Sequence, residues 1–289
     1  MIVGVTGNPR YEGLSQLLEH LTDAACERDL TYQTEADLAH LWPKPVAPLD
    51  LVGGPPDVII CFGGDGTMLR TVRLVADHEI PILGVKIGRV GFLASATPEA
   101  LDDALAALEA GDFLLERRRT LEAVIVDDDG NAGDVTTALN DVVVHKAGVA
   151  RLIRLRVFQD EEEIGAFSSD GLIVATPTGS TAYSLSAGGP IVVPGVDALL
   201  VTPICPHTLA VRPIVVAGNA RITIEVLPPW GEEEVFVSHD GQVGQALGKG
   251  HRVVITRSAF EARLVRLETE GFFALMRRKL QWGDITDRE

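Results

Sequence analysis

The 289-residue sequence has few cysteines, few lysines and no long apolar run. Its three cysteines, Cys26, Cys61 and Cys205, lie far apart without the short spacings of zinc ligands, which argues against a disulfide framework or a zinc site. We expect reduced and mostly buried thiols. No stretch approaches the ~20 apolar residues of a membrane-spanning helix, and residues 1–5 begin directly as a strand with no basic signal region. The sequence therefore predicts a cytoplasmic protein that does not bind membranes.

Positive charge is also scarce, since 25 Lys and Arg face 41 Asp and Glu, a net charge of −16. A nucleic-acid or anionic-membrane surface needs a basic stripe, so these partners are excluded and a small-molecule partner is favoured. The acidic residues form runs at 127–129, 160–163 and 232–234. One explanation is a high-salt cytosol, where screening removes their repulsion. Solvated turns are the other explanation, and the two are compatible.

The first part of the chain alternates strands and helices, which predicts an α/β domain with a parallel sheet. A proline-rich stretch at 41–48 is interpreted as a surface connection. The predicted strands lie near 2–6, 57–62 and 81–85, and the predicted helices near 14–28, 67–77 and 98–110.

From about residue 113 the pattern becomes that of a β-rich, sandwich-like domain. Its predicted strands lie near 120–127, 135–146, 152–158, 164–175, 211–216, 220–227, 234–239, 252–256 and 261–267. A closing helix is predicted at 270–280, with cations in its last turn where the helix dipole favours them. We expect an α/β domain at 1–115, a β-rich domain at 116–268, and a C-terminal helix within 269–289 that returns to the first domain.

A glycine turn, Gly63-Gly64-Asp65-Gly66-Thr67, follows the strand predicted at 57–62 and precedes a helix. A strand, such a turn and a helix N-terminus form a phosphate cradle, because glycine lets the backbone approach a polyphosphate and the dipole favours its charge. The turn lacks the Walker A lysine and the GxGxxG spacing. Asp65 would repel phosphate, so it must bridge a divalent metal, bind a ribose hydroxyl, or orient or deprotonate a hydroxyl. A tight turn capped by Asp65 is the competing interpretation.

A hydroxyl-rich run, residues 176–190, carries seven hydroxyl side chains and three glycines directly after an apolar strand. A turn at 178–181 leads into a short helix, where free N–H groups and hydroxyls would face a nucleotide or sugar. Tyr183 in this setting suits stacking on a ligand or hydrogen bonding to it. Serine and threonine are also common helix caps, so an ordinary capped turn is the alternative.

These motifs occur together with Asn140-Asp141 at a strand end and with Asp240-Gly241-Gln242. In this combination and order, over nearly the whole chain, the sequence resembles the NAD kinases. The hydroxyl-rich run is the more specific motif, since the glycine turn also occurs in lipid kinases and, in similar form, in phosphofructokinases. The resemblance implies phosphoryl transfer from ATP or polyphosphate to the 2′-hydroxyl of the adenosine ribose of NAD, giving NADP. It also implies a divalent metal, Mg²⁺, and a homodimer or homotetramer.

The resemblance further implies residue roles, with Asp65 as the general base and Asn140 and Asp141 on the ribose hydroxyls. Most family members have Glu at the position of Asp141. A carboxylate aligns the weakly nucleophilic hydroxyl and accepts its proton. The implied nucleotide-binding residues are Gly63, Gly64, Gly66, Thr67, Arg70, Phe92, Asn140, Asp141, Arg151, Asp170, Thr178, Thr181, Ala182, Tyr183, Ser184, Leu185, Ser186 and Gln242. No side chain is assigned to the metal.

Other candidate residues have a structural interpretation. His145, His207 and His239 lack metal-ligand spacing. The run 117–119 of three arginines could bind donor phosphates, although a domain-junction role beside the acidic surface is favoured. Two other functions stay open: a lipid or sugar kinase that shares the glycine turn, and a non-catalytic NADP(H) sensor. The family position of Ser168, two residues before Asp170, varies in a way linked to the choice between NAD and NADH. A small polar residue there does not decide the choice.

Overall fold

The computed structural model describes residues 1–76, 78–88, 91–146, 152–228, 234–267 and 271–283. The chain forms two compact units. The first comprises Met1–Arg117 with Ala262–Glu289, and the second comprises Arg118–Glu261. The second unit ends at Glu261 and not at the expected residue 268. The reason is that one long strand, Arg252–Arg266, begins in the second unit and ends in the first.

The elements of the described residues are numbered here in chain order. The strands are β1 Ile2–Gly7, β2 Thr31–Thr34, β3 Ala47–Pro48, β4 Val58–Phe62, β5 Ile82–Val85, β6 Leu114–Val126, β7 Thr136–Ala138, β8 Asp141–Lys146, β9 Ile153–Gln159, β10 Glu162–Ser169, β11 Gly171–Ala175, β12 Ala198–Ile204, β13 Ile214–Ala217, β14 Ile222–Val226, β15 Val235–His239, β16 Val243–Leu247 and β17 Arg252–Arg266. The α-helices are α1 Leu14–Glu27, α2 Asp65–Leu74, α3 Leu101–Ala110, α4 Tyr183–Ser186 and α5 Phe272–Leu280. No helix in these ranges has the length and apolar character needed to cross a membrane.

The first unit contains a parallel sheet in the order β3-β2-β1-β4-β5-β17. Strand β1 pairs with β2 on one side and with β4 on the other. The strand order therefore reverses between β1 and β4, and ligands of open α/β sheets bind at the carboxyl ends of the strands at such a point. The glycine turn begins there, directly after β4.

The core of the first unit follows from helical and strand periodicity. Helix α1 buries Leu14, Leu18 and Leu21, which recur at the spacing of one helical face. Strand β4 is buried along its whole length, as expected for a central parallel strand covered on both faces. Each fully buried leucine contributes about 2 kcal/mol. This packing fixes the carboxyl end of β4, where the glycine turn starts.

The second unit is a sandwich of two sheets. One sheet has the order β10-β9-β14-β17-β6-β7, and the other has β13-β12-β11-β8-β15-β16 with antiparallel neighbours. Side chains of both sheets share one core, for example Leu155 of β9, Val144 of β8 and Leu172 of β11. The α/β unit, the β-rich sandwich and the final helix confirm the predicted fold class.

Several predicted element bounds were wrong for identifiable reasons. The strand predicted at 135–146 is broken at 139–140, because the N–H groups there donate to the carboxylate of Asp240. Strand β12 was missed because it is apolar throughout, contains Pro203 and shows no alternation. Helix α2 begins two residues earlier than predicted, so Asp65 is its first residue. Strands β2, β3 and β16 were not predicted. The two strands predicted at 252–256 and 261–267 form the single strand β17. The strand predicted at 164–175 is divided at Asp170 into β10 and β11.

The thiols are less buried than expected. Cys61 is buried in β4, whereas Cys26 and Cys205 are exposed and all three are free. Cys26 lies off the buried face of α1, and Cys205 follows β12 with a positive φ. The prediction that the cysteines are mostly buried was therefore wrong.

Candidate functional site

The glycine turn places a carboxylate at a helix N-terminus in the first unit. Gly64 is the N-cap of α2 in extended conformation, and Asp65 is the first helical residue. The N–H groups of Thr67 and Met68 donate to the Gly64 carbonyl at 3.0 and 3.1 Å. The positive end of the helix dipole at this position favours an anion.

The carboxylate of Asp65 is held by the backbone of a neighbouring loop. The N–H of Phe92 donates to Oδ2 at 2.9 Å, and the N–H of Leu93 donates to Oδ1 at 3.2 Å. A Cβ on Gly91 would lie 1.8 Å from Oδ1, so a side chain at this position is sterically excluded. Gly91 was missed in the sequence because a single glycine in a loop is not a motif. The loop therefore fixes the direction in which Asp65 presents its charge.

Arg70 has partners inside the first unit. Its guanidinium donates to Glu35 Oε2 and to the carbonyl of Gly7, each at 2.8 Å. Arg70 thus ties α2 to the carboxyl end of β1, and its implied role in nucleotide binding stays a prediction.

A polar cavity of about 570 Å³ lies in the second unit. Ligand pockets for small molecules typically measure ~300–1,000 Å³. Five of the predicted binding residues line it together: Asn140, Asp141, Asp170, Ala182 and Tyr183. They come from a strand end, a strand break and the hydroxyl-rich run. The cavity therefore collects residues separated by more than forty positions in the sequence.

Asp240 anchors one wall of this cavity. It is 8% exposed and has a left-handed φ of 52°, and its carboxylate accepts N–H bonds from Leu139, Asn140 and Asp141 at 3.0, 2.7 and 3.2 Å. The sequence motif at 240–242 led instead to Gln242, which is exposed and is not among the described residues that line the cavity. Within this motif Asp240 and Gly241 line the cavity, and only the pairing of β15 with β8 reveals their place there.

Asp141 is an unusual acid. It is 4% exposed, and burial, followed by the nearby charge of Asp240, raises its pKa from 3.8 to about 7. Near neutral pH a large fraction of Asp141 is therefore protonated, and a protonated carboxyl donates a hydrogen bond as well as accepting one.

The Asp141→Asn variant should remove a pH-dependent loss of stability. The folded protein holds this proton more tightly than the unfolded chain, so the free energy of unfolding falls as pH rises from about 4 to about 7 and stays lower above that. Asn mimics the protonated form. We expect a melting temperature close to that of the wild type at pH 4 and clearly higher at pH 8. The exposed Asp103→Asn is the control, and an equal difference at both pH values would contradict the assignment.

Lys146 and Asp170 form an ion pair at 2.7 Å in the cavity wall. The antiparallel register of β8 and β11 places them opposite each other, since His145 pairs with Gly171. Lys146 was missed because this register is not visible in the sequence. His145 also lines the cavity, and its ring stacks on Phe236 with centroids 6.2 Å apart.

Most hydroxyls of the hydroxyl-rich run are used inside the protein. Thr176 Oγ1 donates to the Leu139 carbonyl at 2.6 Å, and Ser180 Oγ donates to the Pro177 carbonyl at 2.6 Å. Ser184 Oγ bonds to Thr202 Oγ1 at 2.9 Å. These bonds attach the run to the sheet, and they leave Ala182 and Tyr183 to line the cavity. The expectation that the hydroxyls face a ligand was therefore only partly right.

The remaining predicted residues are spread more widely. Thr181 bonds to the Thr178 carbonyl at 3.3 Å, and the buried Arg118 donates to Thr178 Oγ1 at 3.2 Å. Arg119 pairs with Asp197. Among the described residues, Thr178, Thr181, Ser184, Leu185 and Ser186 do not line the cavity. Arg151 lies outside the described residues.

The comparisons with known proteins agree over the full length. The family model of the ATP-NAD kinase N-terminal domain matches residues 49–113, and that of the C-terminal domain matches residues 139–267. An NAD kinase of Gemmatimonas aurantiaca is 43% identical over 290 residues, covering 100% of this chain and 99% of that protein. One of Geotalea daltonii is 40% identical over 96% of both chains.

Solved structures give the same result. A yeast NADH kinase in complex with NADH has a TM-score of 0.89 at 25% identity, covering 98% of this chain and 88% of that one. An NAD kinase from Archaeoglobus fulgidus in complex with ATP has a TM-score of 0.74 at 26% identity, covering 97% and 99%. The chain belongs to the NAD kinase family.

Proposed function

We propose that this protein transfers a phosphoryl group from ATP to the 2′-hydroxyl of the adenosine ribose of NAD, giving NADP. The observation that carries the proposal is the 43% identity to an NAD kinase over the whole of both chains. The glycine turn with Asp65 and the polar cavity agree with it. The lipid- or sugar-kinase and sensor alternatives are not favoured, since the relatives that match the chain over its full length are NAD kinases.

Asp65 is the proposed general base. A ribose hydroxyl is a poor nucleophile at neutral pH, and a carboxylate in hydrogen-bond reach aligns it and accepts its proton late in the transfer. In the glycine turn, the N–H groups of Gly63 and Thr67 donate to protein carbonyls, so those of Gly64 and Asp65 are the ones proposed to stabilise charge on the phosphoryl oxygens. Asn140 and Asp141 hold ribose hydroxyls, and Tyr183 and Ala182 contact the dinucleotide.

Magnesium is the proposed metal. Mg²⁺ usually keeps several waters and is held largely by substrate phosphates; since Asp65 is proposed as the base, the donor phosphates beside the glycine turn would supply its ligands. Within the described ranges, no three His, Cys, Asp or Glu side chains gather into a protein-only site. When bound, the ion would neutralise charge on the donor phosphates.

The test is direct. Purified protein is incubated with each pairing of ATP or polyphosphate with NAD or NADH, with Mg²⁺, and NADP(H) is measured with an NADP-specific dehydrogenase. We expect NADP from ATP and NAD. Calorimetric binding of NADP without turnover from any pairing would support a sensor instead, and phosphate incorporation into lipid but not NAD would support a lipid kinase.

A cytoplasmic location, expected from the sequence, and a homodimer or homotetramer, implied by the family resemblance, stay predictions. Light scattering coupled to gel filtration measures the second. A monomeric mass in the active fraction would exclude it.

The acidic surface leads to a salt prediction. With a net charge of −16, repulsion destabilises the compact state at low salt, and screening relieves it. We expect the melting temperature to rise by about 3 °C or more between 0.1 M and molar KCl, roughly the effect of 1 kcal/mol in a chain of this size. Scanning calorimetry over a KCl series measures it. An unchanged melting temperature would reject a surface adapted to high salt.

A further inference from the structure

Two of the five lysines of this acidic chain lie beside the glycine turn. Lys86 directly follows β5, which pairs with β4 so that Val85 is opposite Phe62. The N–H of Gly63 donates to the Val85 carbonyl at 3.0 Å. The register therefore places Lys86 next to the first residue of the turn.

Lys279 reaches the same place from helix α5. Its Nζ lies 5.6 Å from the centre of the Phe92 ring, and the N–H of Phe92 donates to Asp65. Partial burial lowers the pKa of Lys279; Asp65 opposes this change, whereas the charges of Lys86 and Arg278 add to it. Lys279 is thus close enough to Asp65 and to Lys86 for their charges to interact.

Within the described part of the chain, these two amines make no close ion pair, although Lys86 interacts electrostatically with Glu99 and Lys279 with Asp65. Neither Lys86 nor Lys279 makes an ion pair or a side-chain hydrogen bond with the described residues, although the chain has 41 acidic residues. Lys146, by contrast, is paired with Asp170. Both amines belong to half-buried residues, and like charges held close together favour an anion in the space they face.

We propose that Lys86 and Lys279 bind the phosphate groups of the phosphoryl donor beside the glycine turn. The proposal rests on the proposed function and adds two side-chain cations to the backbone N–H groups of the turn. A lysine acts on phosphate as a mobile point charge, which suits a group that changes its charge distribution during transfer. The pyrophosphate of NAD has the same chemistry, and the test separates the two sources.

The test uses Lys86→Met and Lys279→Met in the full-length protein. Methionine keeps the length and apolar packing of lysine, including the contact of residue 279 with Phe92, and removes only the charge. Calorimetry measures binding of inorganic tripolyphosphate, and steady-state assays measure KM for ATP and for NAD. We expect each variant to weaken tripolyphosphate binding and raise the ATP KM by about tenfold, the effect of one charge-assisted hydrogen bond, with the NAD KM within about twofold of the wild type.

Controls separate this site from general electrostatics. Lys44→Met, an exposed lysine of the same unit, should leave all three values unchanged, and Lys279→Arg should restore most of the affinity. Unchanged tripolyphosphate binding in the Met variants, no binding by the wild type, or a rise in the NAD KM alone would overturn the proposal. A wild-type protein that binds tripolyphosphate through these lysines but makes no NADP would instead reject the proposed function.

Discussion

Asp65→Asn is expected to lower kcat by about 10²–10⁴-fold, the usual contribution of a general base. The substitution keeps the size of the side chain and removes its ability to accept the ribose proton. It also replaces one of the two oxygens that accept N–H bonds from Phe92 and Leu93. NAD binding should stay within about twofold, because the cavity residues at 140–141 and 182–183 are untouched.

The measurement pairs steady-state kinetics with calorimetric titration of NAD. Asp103→Asn is the matched control, since Asp103 is also an acidic residue in the first turn of a helix of the first unit but is exposed. It should retain wild-type kcat. An Asp65→Asn enzyme with unchanged turnover would remove Asp65 as the base, and a parallel loss of NAD binding would assign it to positioning of the acceptor.

Much of the fold was predictable because local signals agreed with the final packing. The leucine spacing of α1 and the continuous apolar strand β4 predict their elements directly. The glycine turn was recognisable because it joins a strand to a helix. Strand β12 was not, since a strand covered on both faces has no alternation, and Ala187 and Val192 cover its second face.

The site was less predictable because its contacts depend on register. The pairing of β15 with β8 brings Asp240 to Asp141, 99 residues away in the sequence. The pairing of β11 with β8 brings Asp170 to Lys146. Gly91 is defined by its approach to Asp65 in three dimensions. The hydroxyls of the run 176–190 predicted a polar segment correctly, but composition does not say whether a hydroxyl bonds to a ligand or to its own backbone.

Gly179→Ala is the second large effect that we expect. A Cβ at this position would lie 2.1 Å from the carbonyl oxygen and 2.8 Å from the Cα of Asn140, and these backbone atoms cannot move alone. The added methyl must separate the turn at 178–181 from the strand break at 139–140. Thr176 ties these two segments together, since its N–H donates to the Asn140 carbonyl at 2.9 Å. Overpacking of this kind costs about 1–3 kcal/mol of unfolding free energy.

The same shift should damage the acceptor site. Asn140 and Asp141 lie on one side of the displaced contact, and Ala182 and Tyr183 follow on the other. Since a misplacement of about 1 Å costs up to roughly 10²-fold, we expect the NAD KM to rise at least tenfold. Gly195→Ala is the control, because Gly195 is exposed and a Cβ added there would have no described atom within 4 Å, so its stability should change by less than about 0.5 kcal/mol. Denaturant unfolding and NAD kinetics are measured for both variants. A wild-type NAD KM in Gly179→Ala would show that the two segments need not touch for NAD to bind. The hydroxyl-rich run would then have only a structural role.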